Sequence, residues 1–261
     1  MKARVLVLLS AAPLFAHDLY LVPSAFRLDH EETVQVVLRN GPFLGSLVGP
    51  ALERLRDANV ISIGGSSPMT QLAVGKTTTT GRARIPHQGN VILTVRTVPN
   101  TIEMEPVHFN EHLVAEGHYD ALAWRKAHHQ EKKPGRERYS KFAKALLLSG
   151  APSDFYRHRV GFLIEIIPEA DPYTLKPGDS LPIQVRFRGQ PAADQQIESA
   201  WTTAAGAKTV IVGRTAVDGR LKVKLPAAGI WRLQTIKMER CSDSAVADWE
   251  SYWANLTFEL R

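Results

Sequence analysis

Four histidines stand where their type and spacing could hold a metal ion: His17, His108, His112 and His118. His17 directly follows the stretch "LLSAAPLFA". A cut between Ala16 and His17 makes it the N-terminal residue, whose α-amino nitrogen and imidazole can grip one cation together. One more imidazole completes a histidine brace suited to copper, or part of a nickel site. The competing reading makes His17 simply the first residue of an edge strand. His108 and His112 belong to "HFNEH", the spacing H-x-x-E-H. Residues four apart on a helix share a face. In zinc peptidases of the inverted type such a pair binds zinc while the glutamate, here Glu111, activates water. That chemistry needs a third ligand. Pro106 and Gly117 leave room for only two to three turns of helix, so a structural, partly exposed pair is the favoured reading. The sharper metal expectation is a site that His17 shares with His108 and His112, joined by His118.

Other chemistries fail on spacing. Gly75-Lys76-Thr77 resembles the end of a phosphate loop, but Thr70 stands where that loop needs its first glycine. The sequence has no G-x-S-x-G for a serine hydrolase and no C-x-x-C for zinc ribbons, haem attachment or thiol redox work. Cys241 is the single cysteine, so no internal disulfide forms and a large core must carry stability.

The start of the chain reads as an export signal. Lys2 and Arg4 precede a short apolar stretch, Val5 to Ala12, and Ala16 is a small residue at the expected cut. The alternative is an uncleaved anchor. No later run approaches the roughly 20 apolar residues of a membrane helix, so no span is expected once the signal is removed. The expected location is the periplasm or the medium. The formal charge is +6, falling to +4 without Lys2 and Arg4, which is too little to indicate nucleic acid.

Eight Lys or Arg and two Glu lie between Arg125 and Lys144, a local +6. Such a segment could meet an anionic surface; a solvated helix face is the simpler reading. Trp201, Trp231, Trp249 and Trp253, with Tyr252, gather in the C-terminal half. Aromatics of this kind bind sugar rings on sandwich surfaces, or more often fill the core.

The elements that must position these residues are mostly strands. "TVQVVLRN" and "NVILTVRTVP" are β-branched runs bounded by turn residues. Pro106 suits a first helical turn, Gly117 a helix end, and a second helix is expected over about 119–131. In "RERYSKFAKALLLSG", Tyr139, Phe142, Ala143, Leu146 and Leu147 recur at helical period, which predicts a third helix ending at Gly150. Beyond Gly161, "GFLIEIIPEADPY", "LPIQVRF", "AGIWRLQTIKM" and "YWANLTFEL" read as strands, and Asp218-Gly219 as a hairpin turn. The fold expected is mainly β: two immunoglobulin- or transthyretin-like sandwiches (17–104 and 151–261) joined by a helical segment (105–150), after a signal over 1–16.

"AHDLYLVP", "ERYSKFAKALL", "IIPEADPYTLKPGDSLPIQVRFRGQPAADQQI" and "DWESYWANLTFEL" together resemble the domain-of-unknown-function 4198 family. The resemblance covers nearly all of the chain after residue 16. It implies an exported, mostly β bacterial protein of a kind often described as a periplasmic component of nickel or cobalt uptake, with an inner-membrane metal permease as partner. "TAVDGRLKVKLPAAGIWRL" also resembles carboxypeptidase-regulatory-like modules. One departure stands out: where relatives carry a histidine before the methionine of "QTIKMER", this chain has Lys237, and an ammonium beside a cation site repels the metal unless it is deprotonated. The function expected is a non-enzymatic accessory protein that binds nickel, cobalt or copper. An adhesion or assembly module binding a protein or glycan is the alternative, and a metallohydrolase or copper oxygenase a third.

Overall fold

The computed structural model describes residues 18–45 and 48–261. The expected export signal (1–16) and His17 lie outside the described residues. Strands β1 (Leu19–Pro23), β2 (Arg27–Leu28), β3 (Glu32–Asn40), β4 (Leu55–Ser62), β5 (Gly65–Pro68), β6 (Thr70–Val74), β7 (Thr79–Ile85), β8 (Gly89–Thr97) and β9 (Asn100–Met104) come first. Two helices follow, α1 (Pro106–Ala115) and α2 (Tyr119–Ala127). Then come β10 (Gly135–Ser149), β11 (Ile164–Pro168), β12 (Ser180–Phe187), β13 (Gln190–Pro191), β14 (Gln196–Thr203), β15 (Gly206–Arg214), β16 (Arg220–Lys224), β17 (Gly229–Arg240) and β18 (Trp249–Leu260). Strands hold 54% of the described residues and helical segments, short 3-10 turns included, 12%, so the chain is mainly β, as its sequence indicates.

The strands form three sheets. One runs β1-β3-β7-β6, and another is β12 flanked by β11, β13 and β16. The largest runs β15-β14-β17-β18-β10-β8-β4-β5, with β2 and β9 also paired to β10. This sheet takes strands from both ends of the chain, and β10 lies between them. One continuous core joins all three sheets, from Val36 and Ile85 through Leu93 and Leu256 to Ile183 and Val223.

The helix expected over "RERYSKFAKALLLSG" is strand β10. It pairs in parallel with β18 from Glu137↔Trp249 to Ala145↔Thr257. Its other edge pairs with β9 at its start and β8 at its end. The reason is burial on both faces: Phe142, Ala143, Ala145, Leu146 and Leu147 all enter the core. A strand packed on both sides reads as a nearly continuous apolar run, which shares its periodicity with a buried helix. The segment 105–150 is therefore helical only through Ala127. Asp218-Gly219 makes a tight turn, but the strands beside it part company: β15 pairs with β14, and β16 with β12. Gly219 sits at φ 75°, where a Cβ would lie 2.5 Å from the carbonyl oxygen of Val185. The turn thus presses against β12 and passes the chain between sheets instead of closing a hairpin.

Candidate functional site: a buried polar chamber beside Asp18

Side chains on β18 alternate. Ala254, Leu256 and Phe258 enter the core, while Ser251, Trp253, Asn255 and Thr257 face the opposite way. Cross-strand pairing puts Ile236, Gln234 and Arg232 of β17 beside Trp253, Asn255 and Thr257. On β10 the neighbours are Glu137 and Lys141, and on β14 it is Glu198. This face of the sheet is buried yet polar. β1 covers one end, where Thr257 Oγ1 donates to the Leu21 carbonyl at 2.8 Å. α1 covers the other, with Phe109 and Leu113 packed on Met238 and Trp249.

Local chemistry fixes the α1–α2 corner. Gly117 takes φ 74° after the helix ends, and the His118 N–H donates to the Leu113 carbonyl at 2.7 Å. This is a Schellman cap, which favours glycine at the left-handed position. Glu116 and His118 are thereby held on either side of that glycine. Gly135 gives α1 its close approach: a Cβ there would lie 2.1 Å from Cδ1 of Phe109.

Arg232, 2% exposed, joins the chamber's two ends. Its guanidinium donates to Asp18 Oδ2 at 2.5 Å and to Glu198 Oε1, and lies over the Tyr20 ring. Glu137 is fully buried. Its Oε1 accepts from Ser251, which accepts in turn from Trp253 Nε1 at 2.9 Å, while Oε2 has no hydrogen-bond partner. Lys141 Nζ donates to Asn40 Oδ1 at 2.8 Å. The amide of Asn255 makes no hydrogen bond at either atom, and Gln234 Oε1 also has none. Unmet polar atoms are uncommon in a folded interior, because each costs about 1–3 kcal/mol.

Four carboxyl groups (Asp18, Glu116, Glu137, Glu198) share one electrostatic neighbourhood with the cations Arg39, Arg54, Lys141 and Arg232. Burial, reinforced by Asp18 and Glu198, pushes the Glu116 carboxyl up to about 8. Burial raises Glu198 as well, against the pull of Arg232. Lys141 is pushed down to about 8 by burial, despite Asp18 and Glu137.

The histidines separate. His112 is 2% exposed. Its Nε2 has no hydrogen-bond partner and lies 3.6 Å from Glu137 Oε2, and its ring stacks on Trp253 at 5.9 Å between centroids. His108 and Glu111 are exposed on α1 and do not enter the chamber. His118 is half-buried with Nε2 unpartnered. Burial first, then His112, Lys237 and Arg214, drive its pKa down to about 3. Its charged neighbours are cationic, so His118 is a poor place for a metal cation. Among the described residues no group of three or more His, Cys, Asp or Glu is placed to hold a metal ion; His112 with Glu137 makes a pair.

The basic segment does not form one exposed face. Arg125, Lys141 and Lys144 are buried. Arg125 ties α1 to the following loop through Asn110 Oδ1 and the Lys133 carbonyl, at 3.0 and 2.7 Å. Lys144 pairs with Glu165, Arg136 with Asp248 and Arg138 with Glu250. The tryptophans of the C-terminal half are buried too: Trp201 stacks on Trp231 at 4.7 Å and Trp231 on Phe258 at 6.4 Å. These rings fill the interior, which sets aside the sugar-platform reading.

Sequence reasoning missed Asp18, Glu116, Glu137, Glu198 and Arg232. The available signal was polarity inside strands: Arg232 and Gln234 interrupt "GIWRLQTI", and Asn255 interrupts "YWANLTF". A buried polar residue is the informative exception in such runs.

A family model described as a domain of unknown function (DUF4198) matches residues 14–239. No curated protein matches. Among solved structures, the D0-D1 domain of intimin is 10% identical with a TM-score of 0.25, over 93% of this chain and 98% of that one. A DUF4785 family protein from Legionella pneumophila is 8% identical with a TM-score of 0.26, over 82% and 52%. Overlaps this low carry no argument about fold or function.

Proposed function

The chain belongs to the DUF4198 family, and from that premise we propose that it is an exported accessory protein that binds one transition-metal ion in the chamber beside Asp18. The ligands are the α-amine and imidazole of a mature N-terminal His17, with His112 and a carboxylate of Glu137 or Glu116. The observation that carries this reading is a pair of buried atoms without hydrogen-bond partners, His112 Nε2 and Glu137 Oε2, 3.6 Å apart on the polar face whose other end is held by Asp18, the residue after His17. A cation there would meet both orphaned atoms. His17 is the residue bonded to Asp18 in the sequence. Imidazole and amine nitrogens suit nickel, cobalt and copper. The protein acts as a binder, not a catalyst, and the family resemblance makes an inner-membrane metal permease its partner in uptake. Its location is the periplasm.

Affinity falls as pH falls, because amine and imidazole must shed protons to coordinate. The test is metal competition against a chelating dye, using protein whose N-terminus has been confirmed by mass as His17. His17→Ala and His112→Ala should each weaken nickel binding by an order of magnitude or more, and His108→Ala should leave it unchanged. Full affinity in His112→Ala would remove the chamber from the account.

A further inference from the structure

A cavity of about 530 Å³ opens beside the α1–α2 corner, between that corner, the turn into β14, Arg214 and the β17 edge at Ile236–Met238. Its size falls in the range of small-molecule sites, roughly 300–1,000 Å³. It exists because β14 pairs with β17 only as far as Glu198↔Gln234. Past that point no strand among the described residues pairs with the β17 edge on this side.

The charges lining the cavity are unequally committed. Arg214 is spent: its Nε and Nη2 donate to Asp194 at 2.5 and 3.1 Å, and its Nη1 to the Gly117 carbonyl at 3.1 Å. Asp194, which feels the charge of Lys237, is therefore already occupied. Lys237 makes no hydrogen bond or ion pair among the described residues. His118 Nε2 is buried and unpartnered. Ile236, Met238 and Ala121 give the walls apolar surface. Of the other acids, Glu116 is half-buried at the end of α1, and Asp120 sits exposed in the first turn of α2. One uncommitted ammonium, one unpaired imidazole and apolar walls match a singly charged organic acid. Asp120 opposes a second negative charge.

We propose that this cavity binds a small organic monocarboxylate: Lys237 Nζ meets the carboxylate, His118 Nε2 donates a hydrogen bond to it, and the organic body lies along Ile236 and Met238. The contacts proposed here, Lys237 and His118, are not ligands in the metal reading, although Glu116, an alternative ligand there, also lines this cavity.

The mature protein is titrated calorimetrically with acetate, isovalerate, hexanoate, glutarate and inorganic phosphate, and the His118 ring resonances are followed by NMR. A branched or longer monocarboxylate should saturate one site and shift the His118 ring signals in the unaltered protein. Lys237→Met should weaken that binding about tenfold or more, the scale of losing one charged hydrogen bond, while Lys237→Arg should keep it within a few-fold. The proposal is overturned if no monocarboxylate saturates a site, if the His118 signals stay still, if Lys237→Met binds as well as the unaltered protein, or if phosphate or glutarate binds as tightly.

Discussion

Arg232 Nη1 donates to Asp18 Oδ2 at 2.5 Å across 214 residues of sequence, which ties the first described residue to the centre of the largest sheet. The same guanidinium holds Glu198. Removing it takes a buried cation away from two half-buried carboxylates, Asp18 and Glu198. Arg232→Met should therefore destabilise the fold by about 3–5 kcal/mol, the scale of breaking a buried pair from one side. Urea unfolding measures this, and a loss under about 1 kcal/mol would mean that solvent reaches Asp18 and Glu198 freely.

A second buried pair offers a cleaner cycle. Lys144 Nζ donates to Glu165 Oε1 at 2.8 Å, with side chains 3% and 4% exposed. Lys144→Met alone should cost about 3–5 kcal/mol, whereas Lys144→Met with Glu165→Leu should recover most of it, because no charge is then left buried. A double variant as unstable as the sum of its singles would contradict coupling between the two.

The chamber also predicts an unusual pH profile. Glu116 titrates near 8 in the folded protein but near 4.5 in the unfolded chain. Its contribution is full below 4.5 and is lost as pH rises towards 8, at up to about 1.4 kcal/mol per pH unit. His118 works the other way: it resists protonation down to about 3 when folded but charges near 6.5 when unfolded, so its contribution is lost as pH falls below 6.5. The two oppose each other between 4.5 and 6.5, and only the Glu116 effect remains between 6.5 and 8. Apo-protein stability should thus decline from pH 6.5 to 8, and Glu116→Gln should flatten that decline in unfolding curves taken at each pH. An equal decline in Glu116→Gln would place its source elsewhere.

Gly135 lies flat against Phe109, so Gly135→Ala forces the α1 helix off the sheet. Overpacking of this kind costs about 1–3 kcal/mol. Because α1 carries His112, metal affinity should fall along with the melting temperature. Loss of stability with unchanged affinity would separate helix position from the site.

The sequence reveals different parts of this molecule unequally. Pro106 and Gly117 bound the first helix correctly, since first-turn prolines and left-handed caps are local chemistry. The run from Tyr139 to Leu147 misleads, because burial on both faces of β10 erases the alternation that marks a strand. The pairing of Arg232 with Asp18 and Glu198 is set by β1, β14 and β17 meeting across the fold, and no local window contains it. His112 is visible in "HFNEH", but its true neighbour is Glu137 on a strand the periodicity assigns to helix. His108, its partner by spacing, faces solvent.

The measurement that bears most directly on the metal account compares two otherwise identical proteins, one beginning at His17 and one carrying a single alanine before it. Calorimetric titration with nickel and copper should give close to one ion per chain for the first. The second should lose that binding, since the extension turns the chelating amine into an amide. Equal affinity and stoichiometry in both would contradict a site built on the terminal histidine.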